Sequence, residues 1–140
     1  MERTCSTKII LVVIASAAML FAPVSTNNIQ KPSSNAVYFA FDRSELDAAA
    51  RATLDGYAAW LNANRSVNIT IEGNCDERGS REYNLALGQR RADSVRDYLN
   101  SRGVSVGRVD TVSFGEERPV CRGSGEACWA QNRRGDIVIR

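Results

Sequence analysis

Asp76 and Arg91, a carboxylate and a guanidinium fifteen positions apart, are the residues of this chain best placed to do chemistry. Asp76 lies in a stretch bounded by Gly73 and Gly79, which marks a loop, and Arg91 lies inside the helical pattern that follows. On that helix Asn84, Leu87, Arg91, Val95 and Tyr98 recur at spacings of three and four and so share one face. Leu87, Val95 and Tyr98 suit burial there, whereas a guanidinium left unpaired in the interior is strongly disfavoured by lost hydration. Arg91 therefore needs an anion or an opening to water. Helical side chains lean toward the N-terminus, so Arg91 points back along the roughly 10 Å of axis that separates it from Asn84, toward the loop of Asp76. Two arrangements meet the need. Asp76 and Arg91 can form an internal ion pair, or they can stand apart and clamp a ligand that carries both charges. In the second, the fork of Arg91 grips a carboxylate and Asp76 takes an ammonium group. Physical chemistry alone leaves both open.

Other chemistries are narrowed by what the chain lacks. It contains no histidine, which excludes Ser-His-Asp and Cys-His catalysis and every imidazole metal site. Asp76 and Glu77 are adjacent and point two ways, unlike the opposed carboxylates of a glycosidase. The four cysteines include no Cys-x-x-Cys pair. An enzyme, whether thiol-dependent or acting on the cell wall, thus has little to work with, and no catalytic residue, cofactor or metal is assigned. Cys121 and Cys128 flank six residues with two glycines and in an exported protein read as a local disulfide. Two thiolate metal ligands are the rival reading. Cys75 is then the odd one, expected as a small, half-buried side chain beside the loop. From Ala36 onward the chain has fifteen Arg, no Lys and fifteen acidic residues. Such a neutral domain is no general nucleic-acid binder, since that affinity comes mainly from neutralising phosphates.

The elements that must position these groups follow from periodicity. Val37 to Phe41 is rich in strand formers. Ser44 with Asp47 three residues later resembles a capping box, and Leu46, Ala50, Leu54, Tyr57, Ala58 and Leu61 then recur at helical spacing. Val67 to Glu72 alternates as a half-buried strand. The second helix is predicted from about Glu82 to Arg102, stopped by Gly103. A strand over Val109 to Phe114, a short helix over Ala127 to Asn132 and a last strand over Asp136 to Ile139 complete the order. Strands alternating with helices that cover the same side predict an α+β fold, a small mixed sheet with two main helices on one face.

Residues 1–24 read as a signal peptide or N-terminal anchor: Glu2, Arg3 and Lys8 lead into an uncharged apolar run that stops at Pro23. The run is short for a spanning helix. Residues 25–35 read as a polar linker, and residues 36–140 as one domain.

The stretch Gly73-Asn74-Cys75-Asp76-Glu77-Arg78-Gly79, continued by Tyr83-Asn84, Leu87-Gly88 and Arg90-Arg91-Ala92, resembles the signature of the OmpA-like C-terminal domain, most closely in its peptidoglycan-associated lipoprotein form. Val37 to Asp42, Ser113 to Pro119 and Asn132-Arg133-Arg134 resemble the family's other motifs, so the likeness spans about Ala36 to Arg140. The resemblance implies non-covalent binding of peptidoglycan through the diaminopimelate of its stem peptide, whose free end carries an ammonium and a carboxylate. It makes Asp76 and Arg91 the principal ligand residues, with Asn84 and Leu87 shaping the pocket and Phe41 and Asp42 lining its other wall. It further implies a βαβαβ core and a periplasmic site of action at the outer membrane of a Gram-negative-type envelope; the alternative reading is a periplasmic protein-interaction module of the Tol-Pal type with a weakened peptidoglycan pocket. Three positions depart from the pattern. Asn74 replaces a common histidine, and as an amide it can still hydrogen-bond a carboxylate or carbonyl, with weaker or less pH-sensitive binding expected. Positions 23–36 hold no cysteine to accept a lipid, so the resemblance does not carry a lipid anchor over. Gly135 stands where a larger apolar residue is usual, which predicts a looser start to the last strand.

Overall fold

The computed structural model describes residues 28–140. The apolar run, the signal-or-anchor expectation, Cys5 and the start of the linker lie outside them. Among the described residues no helix is long and apolar enough to cross a membrane.

The chain runs β1 (Ala36–Tyr38), α1 (Ala48–Ala63), β2 (Ile69–Asn74), α2 (Arg81–Ser101), a 3₁₀ turn (Val106–Arg108), β3 (Val109–Gly115), α3 (Glu126–Asn132) and β4 (Arg134–Ile139). The strands form one sheet in the order β1-β4-β2-β3. β4 is antiparallel to both its neighbours, β1 and β2. β2 and β3 are parallel, and α2 is the crossover between them, as a parallel pair requires. This is the mixed α+β sheet that the periodicities predict. Val37, Ile69, Ile71, Val109 and Ile137 meet Ala50, Leu54, Tyr57, Leu61, Ala92, Val95 and Leu99 of α1 and α2 in one core. At about 25 cal/mol per Å² of apolar surface, this layer is the main favourable contribution to folding.

Helix ends follow local chemistry. α1 is capped by Asp47, whose carboxylate accepts from Ala50 N at 2.8 Å. The cap is thus not Ser44, as the capping-box reading had it. Both residues are cap formers, and the apolar stripe that settles into the core begins at Ala50, so the later one closes the helix. α2 is capped by Ser80. At its other end Val104 N reaches Leu99 O at 3.0 Å and Gly103 N reaches Asn100 O at 3.1 Å, a Schellman turn that needs the left-handed Gly103 (φ 92°). β1 is shorter than its strand formers suggest, because the chain leaves the sheet after Phe39 and turns at Asp42 with φ 55°.

Two glycines let α2 lie against the sheet. A Cβ on Gly73 would overlap the carbonyl of Gly88, and one on Gly88 would overlap Ser113 Oγ. The contact sets the height of α2 over β2, and Arg91 follows Gly88 by three residues.

Candidate functional site

The end of β2 carries the loop that holds Asp76. Gly73 pairs with Ser113 but Asn74 with Gly115, so the register slips by one residue there. Such a bulge re-aims the strand as it leaves the sheet. Cys75 N then bonds Gly115 O at 2.8 Å. Asn84, buried in the first turn of α2, donates to the carbonyls of Asp76 (3.3 Å) and Arg78 (3.1 Å) and so fastens the loop to the helix.

Arg91 is buried, as its helical phase implies, and only 1% exposed. Its partners are three backbone carbonyls. Nε donates to Arg43 O at 2.9 Å, Nη1 to Asn74 O at 2.9 Å and Nη2 to Ala40 O at 3.2 Å. Two of its five N–H groups remain. Asp76 is not its ion-pair partner: that carboxylate accepts from Arg78 and, at 3.5 Å, from Arg133. The internal Asp76–Arg91 pair is therefore excluded. The two residues instead stand apart on one cavity.

That cavity holds about 220 Å³. Phe41 and Asp42 from the β1–α1 connection form one wall, Cys75, Asp76, Arg78 and Gly79 the loop side, and Tyr83, Asn84, Leu87 and Arg91 the helix side. Six of the seven residues singled out from the sequence thus line one space. The seventh, Asn74, does not. Its side chain is buried, donates to Glu72 O at 3.0 Å and leaves Oδ1 without a partner. Asn74 reaches the site through its carbonyl, which fixes Arg91.

The cavity lining carries charges of both signs, Asp42 and Asp76 against Arg78 and Arg91. Burial alone would push the Asp76 carboxyl up, but the hydrogen bonds and charge of Arg78, helped by Arg133, outweigh it and hold the group below its ordinary value. Burial lowers Arg91 while the nearby Asp76 charge opposes it; a guanidinium stays charged regardless. Tyr83 donates to the Asp42 carboxylate across the mouth of the cavity, a bond that raises the phenol above its ordinary value. The Cys75 thiol, fully rather than half buried, bonds Asn84 O at 3.2 Å and is pushed up by burial. A thiol raised in this way is no activated nucleophile. Cys121 and Cys128 are joined as a disulfide, their Cα atoms 5.3 Å apart, which rules out the thiolate metal pair. Residue-by-residue reading missed Arg78, Tyr83, Arg133 and Trp129. Arg78 carried a signal, a charge two residues from Asp76 in the same loop.

The OmpA family profile matches residues 38–133. The chain belongs to the OmpA family. Within this family it is 47% identical to the peptidoglycan-associated lipoprotein of Pasteurella multocida over 119 residues, 85% of this chain and 79% of that protein. With the peptidoglycan-associated lipoprotein of Brucella melitensis it shares 52% identity over 103 residues, 74% of this chain and 61% of that protein. The crystal structure of the peptidoglycan-associated lipoprotein from Burkholderia pseudomallei superposes with a TM-score of 0.75 at 46% identity, covering 76% of this chain and 91% of that one. The C-terminal domain of Helicobacter pylori MotB shares the OmpA fold at 17% identity, with a TM-score of 0.70 over 76% of this chain and 84% of that one.

Proposed function

We propose that this chain binds peptidoglycan non-covalently and tethers the cell envelope to it from the periplasm, with the cavity between Phe41 and α2 receiving the diaminopimelate of the stem peptide. The observation that carries this reading is a fixed guanidinium and a separate carboxylate on one small cavity. Arg91 is held from behind by three carbonyls, so its remaining N–H groups are preorganised for a carboxylate and lose little freedom on binding. Asp76 is the anion for the ammonium group. Leu87 and the exposed Phe41 ring supply apolar surface for the methylene chain between the charged ends. Kinship with peptidoglycan-associated lipoproteins makes Tol-system proteins the protein partners of the same reading.

The test is co-sedimentation of the full chain with insoluble sacculi. The wild type pellets, while Asp76→Ala and Arg91→Ala remain in the supernatant. Free diaminopimelate releases the wild type, which separates a specific cavity from general adhesion. Equal pelleting of all three proteins would refute the site.

A further inference from the structure

The carboxylate assigned to the ligand's ammonium group is already occupied. Asp76 Oδ1 accepts from Arg78 N at 3.0 Å and from Arg78 Nε at 3.2 Å, and Oδ2 accepts from Arg78 Nη2 at 2.7 Å and from Arg133 Nη1 at 3.5 Å. A carboxylate offers about four acceptor positions, so none is left for a newcomer. The occupying guanidinium is itself clamped. Its central carbon lies 3.9 Å from the centroid of the Phe41 ring and 4.0 Å from that of Trp129, and each ring face attracts a cation. Trp129 is fixed in turn. Its Nε1 donates to Glu77 Oε1 at 3.0 Å, and it follows Cys128, which the disulfide ties to Cys121.

The two arginines on Asp76 are not equivalent. The Arg133 side chain is only 8% exposed and also donates to Phe39 O at 2.9 Å and to Glu126 at 2.6 Å, so it is built into the fold. The Arg78 side chain is 29% exposed, lines the cavity and is held in place by Asp76, Phe41 and Trp129. Of the pair, Arg78 is the one with a way out.

We propose that Arg78 is a built-in competitor for the ligand's ammonium group, which it must yield on binding, and that the Phe41–Trp129 clamp sets how strongly it competes. The inference rests on the reading above that Asp76 receives the ammonium. It makes the exchange neutral, because one cation leaves Asp76 as another arrives. It also makes Arg78 a specificity-determining residue. A guest with a carboxylate but no ammonium cannot displace Arg78, which then remains as a second cation beside Arg91. A guest with both charges displaces Arg78 and keeps Arg91.

Two soluble peptides distinguish the possibilities by calorimetric titration of the full chain. One is L-Ala-γ-D-Glu-meso-diaminopimelate. The other carries 2-aminopimelate in the last position, which keeps the distal carboxylate and lacks the distal ammonium. Arg78→Met should bind the first peptide about three- to thirtyfold more tightly than the wild type, the worth of one or two cation–π faces. It should bind the second more weakly, because Asp76 then repels the anion. Trp129→Leu, which removes one face and keeps an apolar wall, should shift both affinities in the same directions by about threefold, and it decides the matter if Arg78→Met fails to fold. Weaker binding of both peptides by these variants would make Arg78 a direct grip on the ligand and overturn the proposal, as would affinities unchanged for both. Absence of diaminopimelate-peptide binding by the wild type and every variant would overturn the site reading and this inference together. Any other failure overturns the inference alone.

Discussion

Gly73 and Gly135 face one another in β2 and β4, and adding one methyl group to each should have opposite effects. A Cβ on Gly73 would overlap the backbone carbonyl of Gly88. That carbonyl belongs to α2 and cannot rotate aside, so the helix would have to retreat from the sheet, at a cost of about 1–3 kcal/mol or more. A Cβ on Gly135 would meet Val37, Phe39 and Val95 side-chain carbons at 3.5, 3.6 and 3.6 Å, which is ordinary contact. Alanine there restricts the unfolded chain and stabilises by about 0.4–1 kcal/mol. For a domain near this size, about 4–8 °C of Tm accompanies each kcal/mol. Gly73→Ala should therefore melt about 5–20 °C lower, and Gly135→Ala about 2–8 °C higher. Function should separate them too. Retreat of α2 carries Arg91 away from the carbonyls of Ala40, Arg43 and Asn74, so Gly73→Ala should fail to pellet with sacculi even at temperatures where circular dichroism shows it folded. Gly135→Ala should pellet normally. Shifts of the same sign in both variants, or normal binding by Gly73→Ala, would refute the claim that the Gly73–Gly88 approach positions the site.

The lowered Asp76 gives a signed pH dependence. Its contribution to stability is fully present above the ordinary aspartate value of about 3.9 and is lost as pH falls through the lower folded-state value. In urea titrations the gap between wild type and Asp76→Asn should thus persist down to about pH 4 and close only below it; closure already near neutral pH would contradict the Arg78 pairing. Asp47→Ala should cost about 1 kcal/mol by urea unfolding, while Ser44→Ala should cost almost nothing, and the reverse order would relocate the cap. Replacing both Cys121 and Cys128 by Ser should lower stability by roughly 2–3 kcal/mol for so short a loop, and wild type melted with a reductant should match that variant.

The core and the phase of α2 were legible because burial repeats along a sequence. Leu54, Tyr57 and Leu61 on one helix and Leu87, Arg91 and Val95 on the other lie where a 3.6-residue period puts them. That phase also exposed Arg91 as a charge that must be satisfied. What satisfies it was not legible. The carbonyls of Ala40, Arg43 and Asn74 belong to segments far apart in the chain, and every residue has a carbonyl, so none leaves a mark in the sequence. The same holds for the clamp around Arg78: Phe41, Arg78 and Trp129 meet only after β4 has brought α3 to the mouth of the cavity. Asn74 marks the limit of motif matching. The motif predicts a ligand contact from its side-chain amide, but a strand alternates its faces, and this side chain donates to Glu72 O and does not line the cavity that its backbone helps to build.

The shortness of β1 has a mechanical consequence. Tension arriving through the residues before Ala36 meets first the bonds to the carbonyls of Ser34 and Asn35, from Tyr57 Oη at 2.9 Å and Ile137 N at 2.7 Å. Next come the three residue pairs that join β1 to β4 at the edge of the sheet. Behind them lie Ala40 to Arg43, which carry both a wall of the cavity and two of the carbonyls that hold Arg91. Asp76, by contrast, hangs from β2, which is paired on both sides. One wall of the cavity and two of the three carbonyls that hold Arg91 therefore hang from an edge strand with three residue pairs, while Asp76 hangs from a central one.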